Sequence, residues 1–163
     1  MMLGMSLSTF TLVHVVISLI GIGSGLIVVY GFLTGKRLDL MTALFLATTA
    51  LTSITGFMFP FEHLLPSHKV GMLSLVILAV AIPARYVFHM AGHWRWIYVV
   101  GAVLALYFNV FVLVVQSFMK VPALKAMAPT QTEPPFVVVQ VTVLVIFLGL
   151  GFFAVRKPLP SLA

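Results

Sequence analysis

Imidazole is the side chain in this sequence best suited to chemistry, because the 163 residues hold five histidines and no cysteine. Without cysteine there is no disulfide, thiolate metal site, iron–sulfur ligation or cysteine nucleophile. His14 lies within a long apolar run, and His63 and His68 lie in FMFPFEHLLPSH, residues 57 to 68, between two further runs. Imidazole binds haem iron, zinc and copper, and two imidazoles on facing helices at similar depth are the minimum for a bis-histidine b haem. His14 with His63 is the pair that meets this requirement, in an electron carrier exchanging electrons with quinone. His14, His63 and His68 are the candidate ligands for another metal. Because His63 follows Pro60, at or beyond the end of a helix, the favoured expectation turns it into water together with Glu62 and His68. Thioether with imidazole suits copper(I), and Met2, Met5, Met58, Met72, Met119 and Met127 fall toward the same side. No Met-x-Met or His-x-His cluster gathers them, and methionine is ordinary apolar filler in lipid.

A second polar cluster, ARYVFHMAGHWRW, places Arg85, His89 and His93 at i, i+4 and i+8 and adds Trp94, Arg95 and Trp96. Arg85, His89, Arg95 and Trp96 could hold an anionic lipid head group or a quinone ring. Cationic and aromatic residues at a cytoplasmic helix end are also what interface anchoring alone requires. Asp39 is placed to pair with Arg85, or only with its neighbours Lys36 and Arg37.

The remaining polar positions read as packing faces. His14, Ser18, Gly21 and Gly25 are spaced by four, three and four, on one face of a helix. Thr48, Thr52 and Gly56 form a matching face, which pairs the first two helices through Ser18, Gly21, Gly25, Thr48, Thr52 and Gly56. The GIGSG stretch lacks the strand–turn–helix context of a phosphate-binding fingerprint. Hydroxyls in ATTALTSITG can bond their own helix carbonyls, and Tyr107 and Asn109 are expected to bond between helices.

The elements that must position these groups follow from hydropathy. Of all residues 62% are hydrophobic and 7% charged, against roughly 25% charged in soluble domains. Crossing about 30 Å of hydrocarbon takes about 20 apolar residues, and the stretches 10–33, 40–61, 70–88, 97–119 and 136–155 qualify. The expected fold is an all-α bundle of five transmembrane helices, a single domain over 1–163 with no soluble domain. An N-terminal signal peptide is not expected, because no positive charge precedes the first run and that run continues past its glycines. Pro122 can start a short interfacial helix in the long link VPALKAMAPTQTEPP. Arg85, near the end of the third span, is expected to snorkel.

Placing the first loop in the cytoplasm puts Lys36, Arg37, Arg85, Arg95, Arg156 and Lys157 inside and Lys69, Lys120 and Lys125 outside, so the N-terminus is out and the C-terminus in. Tyr30, Tyr86, Trp94, Trp96 and Tyr98 then fall together at the inner interface.

A net charge of +6 does not point to nucleic acid here, because the cations sit at helix ends and no basic stripe tracks a phosphate backbone. Asp39, Glu62 and Glu133 all lie at span ends or in links, so no carboxylate within a span can couple ions to transport, and no Ser–His–Asp arrangement can be assembled. These features favour a non-catalytic accessory, assembly or structural subunit of a larger complex in the bacterial cytoplasmic membrane. Its partners would be the bilayer and other membrane subunits or further copies of itself. The haem b electron carrier and a small oligomeric transporter or channel lined by the Thr-rich face are the alternatives.

Overall fold

A computed structural model describes residues 3–162, and Met2 of the copper expectation lies outside them. The described residues are helical with no extended sheet: α1 Leu7–Thr34, α2 Asp39–Gly56, α3 Pro66–Tyr86, α4 His93–Lys120, the short α5 Pro122–Met127 and α6 Pro134–Arg156. Among them, five helices are long and apolar enough to cross a membrane: α1, α2, α3, α4 and α6.

Local chemistry sets the ends. Ser6 caps α1 by accepting from the Thr9 amide at 3.2 Å. At the other end Gly35 takes a left-handed φ of 68°, which lets Lys36 N–H donate to the Gly31 carbonyl at 2.8 Å and close the last turn. The second span stops at Gly56, short of the expected 61. The residue before Pro60 is pushed out of the helical region, and the chain tightens into turns as Phe57 and Met58 donate to Ile54 and Thr55 at 3.1 Å. The third helix begins earlier than expected, with Pro66 in its first turn, where a missing N–H costs nothing. It ends at Tyr86, and His89, Met90 and Gly92 all adopt left-handed φ in the link to α4. His89 therefore leaves the helix on which the i, i+4, i+8 spacing placed it, and His93 opens the next one.

Consecutive long helices run antiparallel. The α1–α2 pair packs beside the α3–α4 pair, α4 also touches α1 and α2, and α6 lies against α4 and α1. The tightly packed core gathers Val28, Phe32, Phe45, Leu46, Leu78, Ala81, Ala84, Tyr98, Ala102 and Leu106, all toward the end that carries Arg85. Small residues let backbones close there. A Cβ on Gly25 would fall 2.7 Å from Leu106 Cδ1 and 2.9 Å from the Phe45 ring, and one on Gly101 would fall 3.0 Å from Ala81 Cβ. Toward the opposite end, which carries His14, the four helices part.

A candidate ligand cavity between four helices

Where α1 to α4 part they leave a partly open cavity of about 420 Å³, within the roughly 300–1,000 Å³ typical of small-molecule sites. The wall is mainly apolar, with Phe57, Phe59, Phe108, Val112 and Leu113 prominent. Set into it are His14 and Ser18 from α1, Thr52 from α2, His68 and Ser74 from α3, and Asn109, Gln116 and Lys120 from α4. Deeper in the bundle than its lining lies the close approach of Gly25 to Phe45 and Leu106.

Most hydroxyls along α1 and α2 are satisfied within their own helix. Ser18 donates to the Val15 carbonyl at 2.7 Å, Thr48 to Leu44 at 2.6 Å and Thr52 to Thr48 at 2.8 Å. Ser18 and Thr52 line the wall at little cost and ask for no ligand, and Thr48 lies outside it. Asn109 Nδ2 donates across to Thr49 Oγ1 at 3.0 Å, tying α4 to α2 just below the cavity. Gly21 faces the same knot, since a Cβ there would lie 3.1 Å from Thr48 Oγ1 and 3.5 Å from Thr49 Oγ1. Gly56 leaves room for the His14 ring, whose Cε1 would be 3.8 Å from a Cβ at that position.

Ser74 differs from the other hydroxyls. It is 2% exposed, and its Oγ has no hydrogen-bond partner among the described residues. A buried hydroxyl left unpaired costs about 1–3 kcal/mol, and this one lines the cavity.

The two cavity histidines are held by different partners. His14 Nδ1 lies 2.7 Å from Thr55 Oγ1, and Phe59 meets its ring edge to face with centroids 5.1 Å apart. His68 Nδ1 accepts the Leu65 backbone N–H at 3.1 Å, and its ring lies between Phe57 and Phe61, at centroid distances of 5.6 and 4.3 Å. The expectation that His68 faces water is corrected, because the ring is only 5% exposed. Held at the first turn of α3, it covers an otherwise open helix end with an aromatic sandwich. His63 is exposed in the 57–65 turn and does not line the cavity. The structure thus brings His14 and His68 to one cavity and leaves His63 outside it. Among the described residues no three His, Asp or Glu side chains gather closely enough to hold a metal ion.

The second polar cluster is also rearranged. Arg85 does not snorkel. It is 1% exposed, ion-pairs with Asp39, reaches Met90 Sδ at 3.6 Å and lies over the Tyr86 and Tyr98 rings at 5.4 and 5.2 Å. A guanidinium desolvated this far needs a carboxylate and aromatic faces near it. Arg95 donates to the Lys157 carbonyl at 2.8 Å, while His89 and Trp96 stand exposed apart from them. The four residues expected to cradle one head group therefore do three separate things. Arg37 pairs with Asp39 and donates to the Ser161 carbonyl at 2.7 Å, and Leu162 N–H donates to His89 O at 3.2 Å. Residues 157–162 are so laid across this end of the bundle, with Leu159 buried.

Ser74 belongs to no site expected from the sequence, and His68 enters there only as a metal ligand expected in water. The signal was there: His68, Gly71, Ser74, Leu78, Ala81 and Arg85 step by three and four along one face. Starting the third span at 70 cut that stripe.

The chain matches no family model, no curated protein and no solved structure.

Proposed function

We propose that the chain is a non-catalytic, multi-pass protein of the bacterial cytoplasmic membrane that binds a small amphipathic molecule between α1 and α4. It would serve there as an accessory component of a larger membrane assembly. One observation carries the binding role: a cavity of about 420 Å³ has a mostly apolar wall with a few converging polar groups, and one of these, the Ser74 hydroxyl, is buried without a partner. That combination is the general form of a small-molecule site. In the proposed orientation the cavity end faces outward, and the end bearing Arg37, Arg85, Arg95 and Arg156 faces the cytoplasm.

The geometry gives less to the other readings. A b haem between His14 and His63 needs both rings inside the bundle, and His63 is exposed outside the cavity. A path through the bundle would have to pass the close packing of Gly25, Phe45 and Leu106 beyond the cavity, where a single added methyl group already collides.

The test is to purify the protein from its native membrane and identify bound small molecules by mass spectrometry, beside a variant with the cavity filled by Ser18→Phe. A small amphiphile retained by the wild type and lost in the folded variant supports the proposal. Identical extracts from both, containing bulk lipid alone, would refute it.

A further inference from the structure

The hydrogen bonds around His14 and His68 determine which face each ring offers to a ligand. Thr55 Oγ1 lies 2.7 Å from the Leu51 carbonyl and 2.7 Å from His14 Nδ1. A hydroxyl has one proton, and a carbonyl can only accept. The Thr55 proton therefore goes to Leu51, and Thr55 Oγ1 accepts from His14 Nδ1–H. A neutral imidazole with its proton on Nδ1 bears a lone pair on Nε2, and His14 Nε2 has no protein partner among the described residues. At His68 the assignment reverses. The Leu65 backbone N–H can only donate, so His68 Nδ1 is the acceptor, and the neutral ring carries its proton on Nε2. His68 is thereby unsuited to ligate a metal through Nε2, which would require moving that proton to the nitrogen that caps α3.

The cavity thus carries an imidazole acceptor, His14 Nε2, on α1 and an imidazole donor, His68 Nε2–H, on α3, with the Asn109 and Gln116 amides and the Lys120 ammonium on α4 and the closed-off Ser74 hydroxyl also in its lining. A fatty acid carboxylate would find a partner in Lys120, but it has no proton for His14 and would meet that ring acceptor to acceptor. An oxidised quinone has the same defect. A hydroquinone suits this mixture of groups, since a phenolic hydroxyl donates to a ring nitrogen while the phenolic oxygens still accept, and a phenol is a stronger donor than an aliphatic alcohol. Phe57, Phe59 and Phe108 supply aromatic surface for a flat head, in the offset and edge-on contacts that aromatic rings prefer.

Building on the proposed binding role, we infer that this cavity is a site for a neutral hydroquinone-type amphiphile, a ring bearing free hydroxyls and an apolar tail, and that His14 selects it through the ring hydroxyl. Thr55 acts as a positioning residue that holds the His14 tautomer.

The test measures equilibrium binding of three decyl-tailed probes to the full-length protein in nanodiscs under anaerobic conditions: a 1,4-hydroquinone, its quinone and its dimethyl ether. The hydroquinone should bind about tenfold or more tightly than the other two, because each of them leaves the His14 lone pair unpaired. His14→Phe should abolish the preference. Should that variant not fold, the near-isosteric Thr55→Val removes the hydroxyl that fixes the tautomer and should reduce the preference in folded protein. In ¹⁵N-histidine spectra the unprotonated Nε2 resonance of His14 should move with the hydroquinone and stay in place with the ether. Equal binding of the three probes, or a preference unchanged by both substitutions, would overturn the head-group assignment and leave the cavity as an amphiphile site. Binding of none would overturn both.

Discussion

Arg85, near the C-terminus of α3, is 1% exposed and ion-pairs with Asp39, which stands 53% exposed in the first turn of α2. The pair is lopsided: the cation has been taken out of water and the anion has not. Removing the anion should therefore cost more than removing both partners, since a buried guanidinium left alone is the expensive state. Asp39→Asn is expected to destabilise the protein by about 2 kcal/mol, below the usual 3–5 because the carboxylate is half in water and the amide still accepts a hydrogen bond. The double variant Asp39→Asn with Arg85→Met should recover most of that loss. Denaturant titrations in detergent check this, and an Asp39→Asn variant as stable as wild type would remove Arg85 burial from the account.

Glycines 23 and 25 sit in the same helix in opposite surroundings. A Cβ at Gly25 would fall 2.7 Å from Leu106 Cδ1, whereas one at Gly23 meets nothing within 4 Å. Gly25→Ala should cost about 1–3 kcal/mol as Phe45 and Leu106 are displaced. Gly23→Ala should be neutral or stabilise by up to about 1 kcal/mol through helix propensity. Adding Leu106→Ala to Gly25→Ala should cost less than the two separate losses combined, a non-additivity visible in a double-mutant cycle.

Glu133 lies just before α6, where its carboxylate accepts from Thr130 Oγ1 at 2.8 Å and from the amides of Thr130 and Thr132 at 3.1 Å. The bond from the Thr130 side chain leads in holding its pKa below the ordinary 4.5. With a lowered folded pKa, the stabilising contribution is complete above 4.5 and disappears as pH falls through the folded value. Amide exchange at Thr130 and Thr132, corrected for intrinsic rates, should therefore rise on acidification below pH 4.5 in the wild type. In Glu133→Gln it should be raised already at neutral pH and change little with acid. Exchange that is independent of pH in the wild type would contradict this.

The orientation can be tested directly because the chain has no cysteine of its own. His63 and Lys36 are both exposed and lie in links at opposite ends of the bundle. A cysteine at 63 should react with an impermeant maleimide on whole cells, and one at 36 only after permeabilisation. The reverse pattern would invert the proposed topology.

Arg37 and Arg95 hold the chain after α6 by donating to the Ser161 and Lys157 carbonyls at 2.7 and 2.8 Å. In an Arg37→Ala, Arg95→Ala double variant the Leu162 amide, which donates to His89 O, should exchange at least several-fold faster in hydrogen-exchange mass spectrometry. Unchanged exchange would mean that burial of Leu159 alone secures this segment.

Five long apolar helices and the short helix at Pro122 were legible in the residues, and so was an interhelical bond from Asn109, though not its partner Thr49 on α2. Each depends on nearest neighbours in the chain or on a face repeated every three to four positions, and an apolar segment in lipid must pair its polar backbone groups internally, which leaves few options besides helix. What the tertiary structure alone decided concerns residues at the ends of those helices. Arg85 and His68 each sit within a turn of a helix end, where hydropathy is compatible with snorkelling into water or with burial against a partner. The choice was made by Asp39, 46 positions away, for the one, and by Phe57 and Phe61 for the other. The cavity has the same origin, because it is the space left where α1 to α4 part, and no single helix contains it. So does the tautomer inferred for His14, whereas that of His68 follows from the local Leu65 amide. A histidine's proton goes to the nitrogen whose partner can accept it, and the partner at His14 is a threonine on another helix.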